Sequence, residues 1–385
     1  MVFLTGSTGF IGSRILSDLL SAQHRVRASV RRAEQISLLT SRHSSSVESG
    51  QLQFAVIPSL EDAESVKAAV ANDVSCIIHL ASPMPGKGDD FETGYLHPAV
   101  RGTETILEAA KGTKVERVVV MSSVLAMMPL GGLEMEGLHV VCMFSLSLSL
   151  SLSLNSTYNP TLSPILTQIP EGANSTITVP SPFTSPSPGA KYTASKILAH
   201  RATLAWAARH QSTLNFDIVT IHPSFVLGRD LTFTSSPGEF PPGINGWVIR
   251  SLGIPPPGKP LIPALFVDVG DVSTVVLRSV PTTTTTSNIN TVTDGNGKGE
   301  VTEVLVSGIP TSWEEILEFA KRFPQIENKL QGPFIKPMTV DTTRAETSLG
   351  IKWRETGAML GDVFGQFAQS LESVETEREV GRGNL

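Results

Sequence analysis

Hydrophobic positions near the amino terminus change from a continuous run to a helical stripe. Residues 2–4 are a short apolar run, which is typical of a strand buried in a parallel sheet. In residues 10–20, Ile11, Ile15 and Leu19 recur at helical spacing and would share one face. The pattern therefore predicts a strand, a connecting turn and a helix.

The predicted turn is rich in glycine, and it reads Thr-Gly-Ser-Thr-Gly-Phe-Ile-Gly from residue 5 to residue 12. Gly6 would permit a tight turn, Gly9 would let a pyrophosphate approach the backbone, and Gly12 would let helix and strand pack closely. The free amides of a helix N-terminus attract phosphate, although a glycine-rich turn without a ligand remains the alternative. The residues predicted to bind the dinucleotide are Gly6, Ser7, Thr8, Gly9, Phe10, Ile11 and Gly12.

The second predicted strand, residues 25–30, ends at Arg31 and Arg32. NAD-binding proteins of this type carry an acidic residue about 20 positions after the glycine turn, where it holds the ribose 2′-hydroxyl. An arginine instead pairs with a 2′-phosphate, so the position favours NADP, with Arg31 the stronger candidate. The alternative is that both arginines are the solvated end of a strand.

Tyr192 and Lys196 lie four residues apart and would share one face of a helix. A cation beside a phenol lowers the pKa of the phenol, which gives a proton donor near neutral pH. Such a pair also occurs as an ordinary solvated pair on helix surfaces. Combined with the glycine turn, it predicts hydride transfer from a nicotinamide cofactor.

Several segments in order resemble the extended short-chain dehydrogenases/reductases, in the branch of dihydroflavonol reductases, cinnamoyl-CoA reductases and fungal aldehyde reductases. The resemblance covers nearly the whole chain apart from residues 139–170 and 282–300. It implies an α/β fold: a doubly wound parallel sheet of the Rossmann type with a smaller C-terminal substrate-binding lobe. The matching segments are the glycine turn and residues 26–31, 78–83, 102–110, 118–123, 192–196, 221–228 and 266–272.

The resemblance also assigns the catalytic residues. Ser123 would orient the substrate carbonyl, Tyr192 would donate the proton, and Lys196 would lower the pKa of Tyr192 and bind the nicotinamide ribose. A simpler role for Ser123 is a strand-end serine that binds backbone amides. His79 is expected to be a packed core histidine without a catalytic role.

Further cofactor contacts follow from the same resemblance. Small residues after the fourth strand would let the cofactor lie close, and a proline segment would form the floor beside the nicotinamide. Many relatives carry an aspartate that contacts adenine after the third strand, whereas this chain has serine and leucine there. These predicted contact residues are Ala81, Ser82, Pro83, Pro223, Phe225, Val226, Ser59 and Leu60.

Composition fits a large globular enzyme. The chain has 385 residues, 40% of them hydrophobic, and a formal net charge of −6, which gives no footprint for nucleic acid or an anionic membrane. Its two cysteines are too few for a disulfide framework or a cysteine-rich metal site. The first strand follows the amino terminus directly and leaves no room for a signal peptide, so we expect a cytoplasmic protein. We also expect a monomer or homodimer, and no metal site.

The predicted organisation has two parts. Residues 1–228 would form the NADP-binding Rossmann domain, and residues 229–385 would mainly form the substrate-binding lobe. Residues 266–280 are expected to return to the first domain, residues 282–298 to form a surface loop, and residues after 375 to form a frayed tail.

Residues 144–154 alternate serine and leucine, which departs from the family pattern. Perfect alternation is typical of a half-buried strand that would tend to self-associate, and serine at every second position argues against a membrane span. In-frame CT repeats encode this pattern, and the preceding Val-Cys-Met fits an intron start. Because long structureless insertions are rare within domains, we predict that about residues 141–168 are translated intron.

The function predicted from these features is reduction of an aldehyde or ketone to an alcohol by NADPH. One alternative is an NAD-dependent epimerase or dehydratase acting on a nucleotide sugar, although Arg31 stands where such enzymes favour an acidic residue. The other is a non-catalytic NAD(P)-sensing binder, which typically lacks the tyrosine and the lysine.

Deleting residues 141–168 should improve solubility and NADPH-dependent activity, because the exposed leucine-serine alternation invites edge-to-edge association. A flexible insertion adds little loop-closure entropy, so the core should fold in both forms. Soluble yield, monodispersity and activity of the two forms test this. Equal behaviour, or a spliced message that retains the segment, contradicts the prediction.

Overall fold

The structure is a computed structural model of the 385-residue chain. It describes residues 1–70, 73–86, 89–131, 138–140, 167–168, 177–181, 183–233, 239–281, 301–334, 336 and 338–382.

Strands and helices alternate through the first half of the chain. The strands are β1 Val2–Thr5, β2 Val26–Val30, β3 Leu52–Val56, β4 Cys76–His79, β5 Arg117–Met121, β6 Leu138–Val140, β7 Thr167–Gln168, β8 Asp217–Pro223, β9 Phe225–Leu227, β10 Phe266–Asp268, β11 Val301–Val306 and β12 Thr339–Val340. The α-helices are α1 Phe10–Ser21, α2 Glu34–Arg42, α3 Ser44–Glu48, α4 Ala63–Ala69, α5 His97–Ala110, α6 Pro188–His210, α7 Gly243–Leu252, α8 Val269–Ser279, α9 Trp313–Ala320, α10 Thr343–Thr347 and α11 Thr356–Arg382.

Seven parallel strands form the main sheet in the order β3-β2-β1-β4-β5-β8-β11. Strand order therefore reverses between β1 and β4, and ligands bind at the carboxyl ends of strands at such a switch point. This sheet, with helices on both faces, confirms the predicted doubly wound fold.

Strands β1 and β4 lie in the interior of the main sheet and are covered on both faces. All four residues of each strand are buried, as expected for apolar strands of a parallel sheet. One face of the sheet packs against α1 and α8 through residues such as Ile15, Leu19 and Val272. The other face packs against α4, α5 and α6 through residues such as Val66, Ile106 and Trp206.

A separate hydrophobic cluster forms the core of the C-terminal lobe. It joins α7, α9 and α11 through residues such as Val248, Ile316 and Phe364. Helix α8, which lies in the segment expected to return to the first domain, packs against the main sheet. Strand β11 and residues 345–351 also return to the main domain, which the sequence did not indicate.

Parts of the predicted organisation lie outside the described residues. These are residues 141–166 of the predicted insertion and the predicted surface loop at 282–298, while Thr167–Gln168 pair with β6. The structure differs from the predicted fraying after residue 375, since the backbone of α11 is helical to Arg382. Glutamate and arginine, which recur there, are good helix formers. No helix within the described ranges has the length and apolar character that a membrane span needs.

Candidate active site at the carboxyl ends of the strands

The glycine turn after β1 is shaped by two close backbone contacts. Gly6 has φ +77°, and a Cβ there would lie 2.9 Å from the amide nitrogen of Ala81. A Cβ on Gly12 would lie 2.0 Å from the carbonyl oxygen of Gly6. Because real Cβ atoms do not approach backbone so closely, both positions require glycine.

The side chain of Thr5 joins this turn to β4. Its hydroxyl is 2.9 Å from Nδ1 of His79 and accepts hydrogen bonds from the amides of Leu80 and Ala81, both at 3.2 Å. The carboxyl ends of β1 and β4 are thereby held together at the switch point. The segment of Ala81, Ser82 and Pro83 consequently lies beside the glycine turn.

The N-terminus of α1 fits a pyrophosphate. Its N-cap residue is Gly9, which is exposed and supplies no side chain to bind the first amides of the helix. Ser7 is buried, and its hydroxyl donates to the carbonyl of Ser29 at 3.4 Å, so its side chain is not directed at a ligand. Free amides at a helix N-terminus form an anion site.

Arg31 and Arg32 are exposed at the end of β2, as a role in binding a 2′-phosphate requires. The sequence analysis missed Gln35, whose Oε1 accepts hydrogen bonds from both arginine amides at 2.9 and 3.2 Å. Its Nε2 lies 3.4 Å from Oγ1 of Thr8. Gln35 thus ties the end of β2 to the glycine turn. A polar residue in the first turn of α2 was the only signal for this role.

The other predicted cofactor contacts differ in exposure. Ser59 is exposed, and its hydroxyl accepts a hydrogen bond from the amide of Glu61 at 3.2 Å, while Leu60 is half-buried. Pro83, Pro223 and Val226 are buried, whereas Ala81, Ser82 and Phe225 are half-buried.

Ser123 follows β5 and caps a short 3₁₀ turn, Val124–Met127. Its Oγ accepts a hydrogen bond from the amide of Leu125 at 3.2 Å, which is the capping role that the sequence left as an alternative. A hydroxyl has one proton to donate and two lone pairs, so this bond leaves the proton free for a substrate carbonyl. The side chain is 8% exposed.

Tyr192 and Lys196 share one face of α6, as predicted, and α6 begins after the N-cap residue Ser187. The Lys196 ammonium lies 5.5 Å from the centroid of the Tyr192 ring. Tyr192 also packs in the apolar cluster that contains Val124 and Leu125. The helix therefore brings the phenol next to the turn that follows Ser123.

Electrostatics at this pair differ from the prediction. Burial raises the pKa of Tyr192 to about 12, and burial lowers the pKa of Lys196 to about 8. The expected lowering of the phenol pKa by the lysine does not occur here, because an apolar environment disfavours both charged forms. The geometry thus holds a neutral phenol beside a lysine that titrates near neutral pH.

Four further polar side chains lie buried behind Lys196: His79, His200, His222 and Glu303. His79 is 3% exposed, which confirms the prediction of a packed core histidine. The sequence analysis missed the other three. The only available signal was the position of His200, four residues after Lys196 on the same helix face.

Sequence comparisons find one family model and two whole-length relatives that the chain resembles. Residues 2–132 match the NAD dependent epimerase/dehydratase family. The chain is 28% identical to ketoreductase sphI of Aspergillus fumigatus, over 95% of this chain and 97% of that protein. It is also 28% identical to ketoreductase CTB6 of Cercospora beticola, over 97% of each chain.

The fold is shared with solved reductase structures. Yeast methylglyoxal/isovaleraldehyde reductase Gre2, complexed with NADPH, superposes with a TM-score of 0.72 at 19% identity, over 97% of this chain and 99% of that chain. Vestitone reductase from alfalfa gives a TM-score of 0.60 at 20% identity, over 94% of this chain and 96% of that chain.

Replacing Gly12 with alanine should weaken dinucleotide binding and lower the free energy of unfolding by about 1–3 kcal/mol, because the new Cβ would overlap the Gly6 carbonyl. Gly365→Ala is the matched control, since a Cβ there has no atom within 4 Å. That control should be neutral or stabilise by up to about 1 kcal/mol. Chemical denaturation and NADPH titration measure both effects, and similar behaviour of the two variants contradicts the steric argument.

Proposed function

We propose that the chain is a member of the NAD dependent epimerase/dehydratase family, in the fungal reductase-like branch of the extended short-chain dehydrogenases/reductases, and that it reduces an aldehyde or ketone to an alcohol with NADPH. The observation that carries the proposal is that one face of α6 holds half-buried Tyr192 and buried Lys196 against the turn after Ser123. Its relatives along the whole chain include two ketoreductases.

The proposed chemistry assigns one task to each side chain. NADPH, when bound, supplies the hydride that reaches the carbonyl carbon. Ser123 donates a hydrogen bond to the carbonyl oxygen and orients it. Tyr192 gives its hydroxyl proton to the same oxygen as negative charge develops there. Lys196 in its ammonium form then stabilises the tyrosinate that remains.

Burial suits this assignment. A neutral Tyr192 with a pKa of about 12 keeps its proton until an alkoxide, which is a much stronger base, forms beside it. A lysine with a pKa of about 8 is mostly charged at neutral pH and loses its charge as the pH rises. Activity should accordingly decline on the alkaline side.

The choice of NADPH rests on the exposed Arg31 at the end of β2. The NAD-dependent epimerases and dehydratases, which are the first rival, favour an acidic residue there. The glycine turn, with its exposed Gly9 and uncapped helix, fits the pyrophosphate of either cofactor. Arg31 is the residue from which we infer the preference for NADPH.

The surroundings of Tyr192 support an apolar carbonyl substrate. Apart from Lys196, its ring packs with two hydrophobic clusters, which include Leu125, Met128, Phe91 and Leu130. A nucleotide sugar would need charged or hydrogen-bonding partners for its diphosphate. The non-catalytic binder is disfavoured because Tyr192 and Lys196 are both present and packed together. A cytoplasmic location and a monomeric or homodimeric state stay predictions from the sequence.

Arg31→Ala should weaken NADPH binding about tenfold to a hundredfold, because one charge-assisted contact to the 2′-phosphate is lost. NADH binding should change little. Arg25→Ala is the matched control, since Arg25 is exposed at the opposite end of the same strand. Fluorescence titration with both cofactors measures the effect. An equal loss for NADPH and NADH would remove the argument for NADP.

Tyr192→Phe should lower turnover by about 10² to 10⁴-fold and leave NADPH binding intact, because the ring stays and only the proton is lost. The test follows NADPH oxidation against a panel of aldehydes and ketones. Tyr95→Phe is the control, since the Tyr95 hydroxyl accepts a hydrogen bond from the amide of Gly86 at 2.8 Å. That control should cost stability but not turnover. Wild-type turnover in Tyr192→Phe would refute the assigned role.

A further inference from the structure

A buried acid–base pair lies one helical turn behind Lys196. His200 Nε2 is 2.5 Å from Glu303 Oε1, and the two side chains are 0% and 1% exposed. His200 lies on α6 and Glu303 on β11, so the contact joins the helix that carries Tyr192 and Lys196 to the edge strand of the main sheet. Burying a carboxylate is costly unless it is paired and hydrogen-bonded.

The surroundings of the two His200 ring nitrogens favour one tautomer of the ring. Nε2 donates to Glu303, and Nδ1 is buried and has no hydrogen-bond partner within the described part of the chain. A protonated imidazole would leave a buried Nδ1–H donor without an acceptor, which is unfavourable. The neutral tautomer with a proton on Nε2 instead leaves a lone pair on Nδ1, which can accept a hydrogen bond.

A small cavity connects His200 with Lys196. Its volume is about 20 Å³, which is enough for one water molecule. Lys196 and His200 both line it, as expected for residues four apart on one helix. Its other polar lining residues are His79, Ser82, Thr103, Ser122, Thr203 and Thr220. The residue that carries the ammonium and the residue with the unpartnered imidazole nitrogen therefore line the same small cavity.

The remaining titratable groups around Lys196 are neutral near pH 7. Burial lowers the pKa of His79 and of His222 to about 3, and the charge of Lys196 adds to both shifts. His79 is bound to the hydroxyls of Thr5 and Thr103, and His222 to the Ser123 carbonyl and Thr220. Burial also raises the pKa of Tyr192 to about 12. Among these described groups, Glu303 is the acidic one.

We propose that Glu303 and His200 are positioning residues for Lys196. Glu303 fixes the His200 tautomer whose Nδ1 accepts a hydrogen bond, through a water in the cavity, from the Lys196 ammonium. The negative charge of the pair keeps Lys196 protonated at neutral pH. The effect on catalysis rests on the proposed function, in which the charged lysine stabilises the Tyr192 oxygen. The effect on the charge of Lys196 is independent of that function.

The direct test is the titration of Lys196 by NMR. Protein labelled with ¹³C-lysine would be titrated between about pH 6 and 10, with the Cε resonance of Lys196 assigned through Lys196→Arg. Glu303→Gln removes the charge and keeps the shape, so the titration midpoint of Lys196 should fall by about one pH unit or more. Glu303→Asp keeps the charge and should restore most of the midpoint. A purely structural role predicts no such difference.

Glu104→Gln is the matched control, because Glu104 forms a surface ion pair with Arg209 at 3.4 Å. This control should leave the Lys196 midpoint unchanged. If Glu303→Gln fails to fold, the double variant His200→Phe, Glu303→Leu replaces the pair with apolar side chains, which proteins often tolerate. The double variant should lower the midpoint in the same direction. An unchanged midpoint in either folded variant overturns the proposal.

The pH profile of kcat separates this inference from the proposed function. If both hold, the alkaline limb of the profile moves to lower pH in Glu303→Gln by the same amount as the NMR midpoint. If the midpoint moves but the kcat profile does not, the pair sets the charge of Lys196, and the catalytic role assigned to that lysine is wrong. If neither moves, the pair has no influence on Lys196.

Discussion

The close approach of two backbone turns at the strand switch point is the constraint on which the rest of the site depends. The amide of Ala81 lies so close to Gly6 that no side chain fits at that position. The hydroxyl of Thr5 accepts hydrogen bonds from the amides of Leu80 and Ala81. Gly12 brings the first turn of α1 onto the carbonyl of Gly6. The dinucleotide site is thus a property of backbone packing, and the side chains of the reaction are arranged around it.

Features that depend on local sequence could be predicted. A strand that is buried on both faces has a continuous apolar run, whereas a helix that is buried on one face has an apolar stripe. These two patterns predicted β1 and α1 to within a residue or two. The Ser312–Glu315 capping box likewise marks the start of α9, and the structure contains both of its hydrogen bonds. Tyr192 and Lys196 share a helix face because their spacing alone decides it.

Features that depend on contacts between distant segments could not be predicted. Glu303 contacts His200, which lies 103 positions earlier in the sequence. From the sequence alone, a single glutamate in an apolar strand is expected to face solvent on an edge strand. Strand β11 follows a threonine-rich stretch, and nothing in the local sequence indicated that it belongs to the main sheet. The raised pKa of Tyr192 has the same origin, because burial is set by clusters from several elements and not by the neighbouring lysine.

Burying the polar side chains behind Lys196 costs desolvation free energy, and their hydrogen bonds to neutral partners reduce this cost. His79 and His222 are neutral, and each makes two hydrogen bonds, so they surround Lys196 with dipoles and do not add competing charge. His222 also donates a hydrogen bond to the carbonyl of Ser123 at 3.2 Å, which links the polar cluster to the backbone of that candidate catalytic residue. In a site that excludes water, fixed dipoles and a single nearby cation act more strongly on a developing oxyanion than they would in solvent. The polar cluster behind Lys196 therefore contributes to the reactivity of the site through the same hydrogen bonds that make its burial tolerable.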